Sequence, residues 1–128
     1  MKLFEHNAEA PVLEKLTRAN VDGKRIYQTP SGEGYPSVTT VLGILGKESL
    51  MAWRKRVGEE EANRISSQAA RRGTAVHKLC EDYLDNDPDF KKKHMPANID
   101  MFNKMKPVLD DKINNIWYQE CFLYSNEL

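Results

Sequence analysis

The stretch Arg71–Leu84, RRGTAVHKLCEDYL, constrains the fold more than any other part of the chain. Val76, Leu79, Cys80, Tyr83 and Leu84 recur at steps of 3, 1, 3 and 1, which lays apolar side chains along one face of an α-helix. At about 100° per residue the stripe covers an arc of roughly 140°. Asn86-Asp87-Pro88 stops this helix, because the residue before a proline is pushed out of the α region. The helical pattern reaches back to Glu48, where Leu50, Trp53, Val57 and Ala62 form another stripe.

On either side of that region the pattern changes. Residues 1–22 carry scattered apolar positions without a clean period and read as an irregular lead-in, with a short helix over Pro11–Ala19. Ile26 and Tyr27 sit in a strand-like segment, TPSGEG is a cluster of turn formers, and YPSVTTVL is rich in β-branched residues. That order predicts a hairpin passing into a short helix, capped by Ser37 or Thr39. After a polar loop, DPDFKKKHMPAN, a third helix carries Phe102, Met105, Leu109, Ile113 and Ile116 on one side, with Pro107 expected to kink it or restart it. Asp110 and Asp111 read as surface residues of that helix. Finally NIWYQECFLYS alternates as a strand would, with Ile116, Tyr118, Glu120, Phe122 and Tyr124 on one face. The chain ends at Leu128 without a partner for this strand, so the expectation is a domain cut through its sheet.

A length of 128 residues suits one compact domain, and 40% hydrophobic with 30% charged residues is an ordinary globular composition. Two distant cysteines, Cys80 and Cys121, exclude a disulfide framework and a cysteine-based zinc site. The start has no signal-peptide core, and the longest apolar run, Val38–Gly46, is far short of the roughly 20 residues a bilayer requires. A soluble cytoplasmic protein with no membrane partner is expected. The net charge of zero conceals a gradient: 13 basic and 9 acidic side chains over residues 1–78, against 6 and 10 over residues 79–128. Arg54, Lys55, Arg56, Arg64, Arg71 and Arg72 gather in the basic part, where local fields attract anions whatever the total charge.

His77 and Glu81 lie one helical turn apart at the boundary of the apolar stripe, where an imidazole and a carboxylate can hold a divalent cation. They can equally hydrogen-bond to one another. Glu120 is the second candidate, a carboxylate inside an aromatic and aliphatic strand, costly to bury without a cation. Other motifs fail. GILGKES lacks the first glycine of a phosphate-binding loop and has Glu48 where Ser or Thr is required, and no GxGxxG, GxSxG or HExxH occurs.

Three segments together resemble the PD-(D/E)XK nuclease superfamily, in particular the RecB-like exonucleases that include phage and mitochondrial single-strand exonucleases. They are YPSVTTVLGIL with LMAWRKRVGEEEA, then RRGTAVHKLCEDYL, which resembles that family's first motif of Gly-Thr-x-x-His followed by an acid and Tyr-Leu, then QECFLYS. The resemblance implies an α+β fold in which an N-terminal hairpin and helical arch lead into the first strand of a restriction-endonuclease-like core over residues 23–128. It implies His77 as a metal ligand, Glu81 as its support and Glu120 as the strand acid of the catalytic centre, with Mg²⁺ or Mn²⁺ as cofactor. Arg54, Lys55, Arg56, Arg71 and Arg72 would follow the backbone of single-stranded DNA or of a duplex end, and Trp53 would stack on a base or fill the core. The family's remaining Asp and Asp/Glu-x-Lys, on consecutive strands, are not among the 128 residues; Asp110-Asp111-Lys112 has the wrong spacing and stands in a helical pattern. The expectation is therefore the N-terminal part of a metal-dependent DNA exonuclease, inactive by itself. A non-catalytic nucleic-acid-binding or assembly module is the alternative, and a small helical interaction protein a third.

Overall fold

The computed structural model describes residues 2–127. Its elements are β1 (Thr17–Val21), β2 (Lys24–Gln28), β3 (Gly34–Pro36), α1 (Val38–Val57), α2 (Glu59–Leu84) and α3 (Pro96–Lys112). The fold is α+β, with three helices and one three-stranded antiparallel sheet among the described residues. The chain divides into two compact units, one of residues 2–10 and 60–119, the other of residues 11–59 and 120–127. No helix of the described residues is long and apolar enough to cross a membrane.

The first unit is organised by α2 and α3. Leu79, Tyr83, Phe90, Phe102 and Phe4 form its buried cluster, with Cys80, Leu84, Ile99, Leu109, Ile113 and Ile116 packed against it. Tyr83 is the hub: the rings of Phe4, Phe90 and Phe102 lie 5.1, 5.2 and 5.2 Å from its own, each tilted or edge-on, as ring quadrupoles prefer. The Tyr83 hydroxyl donates to Asp110, which also accepts from Lys106 at 2.9 Å. Asp110 is thus a half-buried partner of the core, not the surface residue expected, because a buried phenol requires an acceptor. Phe90 is buried too, although it falls in the segment expected to be a polar loop.

The end of α2 is satisfied by side chains from a distance. His6 Nε2 meets the Leu84 carbonyl at 2.7 Å, and Gln119 donates to the Glu81 carbonyl at 2.8 Å. Asn86, in the left-handed region at φ 64°, clasps Phe4 with two hydrogen bonds, accepting from its N–H at 2.7 Å and donating to its carbonyl at 2.9 Å. At the other end Glu59, Glu60 and Glu61 place negative charge at the positive pole of the α2 dipole. α3 stays one element through Pro107, which forfeits one backbone hydrogen bond without ending the helix.

The expected strand over residues 116–124 is not formed. Ile116 makes a single parallel bridge to His6, its N–H donating to the Glu5 carbonyl at 2.7 Å and its carbonyl accepting from Asn7 at 2.7 Å. Alternating side chains do not make a strand where no second strand supplies a ladder.

The second unit holds the sheet and α1. The short helix expected over Pro11–Ala19 is absent, and Thr17–Val21 is β1. β1 and β2 are joined by Asp22-Gly23, whose φ values of 52° and 76° make the turn that matches strand twist. Beyond β2, the buried Thr29 hydroxyl donates to Glu33 at 2.6 Å and shapes the turn into β3. Ser37 caps α1 by accepting from the Thr40 N–H at 3.1 Å, as one of its two expected caps. α1 is 20 residues long rather than short, and the continuous pattern expected from Glu48 is interrupted at Gly58, whose φ of 91° suits glycine. α1 buries none of its residues.

Two expectations follow. Phe102→Ala should cost about 3–5 kcal/mol in urea unfolding followed by near-ultraviolet circular dichroism, whereas Ile44→Ala, 72% exposed, should change stability by less than about 0.5 kcal/mol. The hydrogen bond from Tyr83, with that from Lys106, holds the Asp110 carboxyl below the usual carboxylate range. Its stabilisation is therefore present above the ordinary carboxylate pKa and is lost as pH falls through the depressed one. The melting temperature of Asp110→Asn should be lower than wild type at neutral pH, and the gap should close in acid.

Candidate metal and nucleic-acid site

The burial of Val76, Leu79 and Tyr83 sets the rotation of α2, and that rotation decides what the helix shows at its margins. His77 is exposed, Cys80 and Glu81 are half-buried, and Arg71 and Arg72 are exposed one turn and more upstream. His77 and Glu81 come together as the i, i+4 spacing requires: an imidazole nitrogen and a carboxylate oxygen lie within 4.8 Å of each other. Lys78 approaches the acidic side of the same turn, 3.7 Å from Glu81 and 3.0 Å from Asp82. Asp85 joins Glu81 and Asp82 in a group of carboxylates within 4.8 Å of one another.

Beside this edge is an open cleft of about 380 Å³ between α2 and α3. Ala69, Arg72, Gly73, Val76, His77 and Cys80 form the α2 wall, and Met101, Met105 and Leu109 face them from α3. The cleft has an apolar floor with a guanidinium and an imidazole at its rim. Its α3 wall was legible only in part: Met105 and Leu109 read as core positions, and the step of four from Met101 to Met105 to Leu109 is what could have extended that face.

The residues present fit part of a coordination shell. Imidazole nitrogen with carboxylate oxygen suits Mn²⁺ and, less well, the oxygen-preferring Mg²⁺, and both ions require further oxygen ligands. Glu120 falls in the second unit, at φ 54° and exposed, outside any strand.

The basic residues expected to meet DNA differ in state. Arg54 pairs with Glu59 at 2.7 Å across the Gly58 break, which holds the Glu59 carboxyl below its ordinary range. Lys55 and Arg56 are exposed at the end of α1, and Trp53 is half-buried there. In the first unit Arg64 pairs with Glu61, and Arg71 donates to the Ser67 carbonyl at 3.4 Å. No family model, curated protein or solved structure matches the chain.

Cys80 and Cys121 are both free thiols. Burial pushes the Cys80 thiol up, whereas Cys121 is exposed. Ellman's reagent at pH 8 should titrate Cys121 quickly and Cys80 about ten-fold or more slowly, and urea should make the two rates converge. Equal rates in the folded protein would contradict the partial burial of Cys80 against the core of the first unit.

Proposed function

We propose that the chain is the N-terminal part of a metal-dependent DNA exonuclease of the PD-(D/E)XK kind, contributing nucleic-acid contacts and one metal ligand, and that by itself it does not hydrolyse DNA. The observation that carries this reading is the meeting of His77 and Glu81 on one edge of α2, with His77 also lining the α2–α3 cleft together with Arg72. His77 would hold a divalent cation through a ring nitrogen, and Glu81 would support it. Such an ion would neutralise charge on a phosphodiester and activate water. Arg72 would draw a backbone phosphate to the rim, and Arg71, Lys55 and Arg56 would add to the field.

Lys78 favours a second reading, a non-catalytic nucleic-acid-binding module, because an ammonium already neutralises Glu81 and Asp82 without a metal. One experiment separates them. Mn²⁺ titration followed by electron paramagnetic resonance should show a bound ion, with affinity falling on His77→Ala by at least the roughly ten-fold that losing even an outer ligand costs. The binding-module reading expects no change with that variant. Under both readings single-stranded DNA binding weakens steeply with salt. Mn²⁺-dependent DNA degradation by this chain, abolished in His77→Ala, would refute the inactivity proposed here.

A further inference from the structure

We propose that one face of the sheet in the second unit is a base-stacking platform for single-stranded nucleic acid, separate from the residues of α2. The strand register puts Arg18 opposite Tyr27 and Tyr27 opposite Tyr35, so that guanidinium, ring and ring form one cross-strand row. Arg25, two residues before Tyr27 and therefore on the same face, donates to its hydroxyl at 3.4 Å. Ala19, Ile26 and Pro36 point to the opposite face. The strands contribute Arg18, Asn20, Arg25, Tyr27 and Tyr35 to the platform face, and no carboxylate.

Two further rings come from the segment after Glu120. Phe122 lies 5.9 Å from Tyr27, and Tyr124 stacks on Tyr35 at 6.4 Å with 23° between planes. The Tyr35 hydroxyl donates to Asn126 at 2.5 Å and ties the segment down. Phe122 and Tyr124 still keep 36% and 43% of their surface in solvent. Rings that served only as core would be covered. These are pinned on one side and open on the other, which is what a stacking base needs.

The occupant follows from the combination. Planar π-faces accept bases of any sequence, and guanidinium groups beside them match phosphates and stack on bases. A duplex keeps its bases stacked on one another and cannot offer them, so the surface selects a single strand. The second unit carries 8 basic and 7 acidic side chains in all; on the platform face its strands place Arg18 and Arg25 and no carboxylate, while Glu120 and Glu127 flank the segment that bears Phe122 and Tyr124.

This inference rests on the nucleic-acid reading above and extends it to a second surface. The test is fluorescence anisotropy of a labelled oligothymidylate across a salt series, with a duplex of equal length as comparison. Wild type should bind the single strand more tightly than the duplex. Phe122→Leu with Tyr124→Leu keeps apolar cover on Tyr27 and Tyr35 but removes the outer π-faces, and should weaken binding about ten-fold or more with the salt slope unchanged. Arg18→Gln with Arg25→Gln should weaken binding and lower the slope by about 1.4, at ~0.7 for each phosphate contact. If both pairs bind as wild type while Arg71→Gln with Arg72→Gln weakens binding, the platform is overturned and the nucleic-acid reading stands. If wild type binds no oligonucleotide, both fail, as they would if the rings captured only a polyproline peptide.

Discussion

The first unit depends on the burial of one phenol. Tyr83 brings a large ring into the centre of the cluster, where three other rings meet it, and it carries a hydroxyl that cannot be left without an acceptor. An unsatisfied buried hydroxyl would cost about 1–3 kcal/mol, a sizeable part of what a domain of this size has in hand. Asp110 meets that need from α3, so the same contact that satisfies Tyr83 fixes α3 against α2. The clasp of Asn86 on Phe4 does the equivalent for the N-terminal segment, seating the ring edge-on to Tyr83.

From that packing the margin of α2 follows with little freedom. Once Val76, Leu79 and Tyr83 face inward, a helix of 3.6 residues per turn leaves His77 and Glu81 one turn apart on the same edge. Their meeting needs no further device. Arg72 and Gly73 then fall on the cleft side, and Met101, Met105 and Leu109 close it from α3. The candidate site is a by-product of how the core is satisfied, which is why a change in the core would disturb it as surely as a change at its rim.

What could be read from the residues was the part governed by local periodicity. The stripe on α2, its stop before Pro88, the cap at Ser37 and the turn before β3 depend on neighbours within four or five positions. β1 carries no apolar alternation, because its residues are all exposed; the local mark of its hairpin is Asp22-Gly23 alone. Asp110 is illegible for a different reason: its partner lies 27 positions away, and nothing local marks an acceptor for a distant phenol. The strand expected around Glu120 shows the reverse error, since alternation describes side chains while a ladder depends on a second strand. The candidate site was legible as far as His77 and Glu81, which share a helix, and illegible at its α3 wall.

The two units, each taken by itself, present different chemistry. On the edge of α2 the groups are an imidazole, carboxylates and a guanidinium, suited to a cation and a phosphate; on the sheet they are rings and guanidinium groups, suited to bases and phosphates. Phosphate attraction alone holds a polyanion without saying which part of it lies where. Stacking adds position along a single strand, because a base can lie on a ring only where the strand is unpaired. On the proposed reading, a metal held by His77 would add position at one phosphodiester, because an ion is a point and not a field. A net charge of zero is compatible with local fields of both signs: Arg18 and Arg25 share one face of the sheet, whereas Glu81, Asp82 and Asp85 gather at the end of α2 beside Lys78.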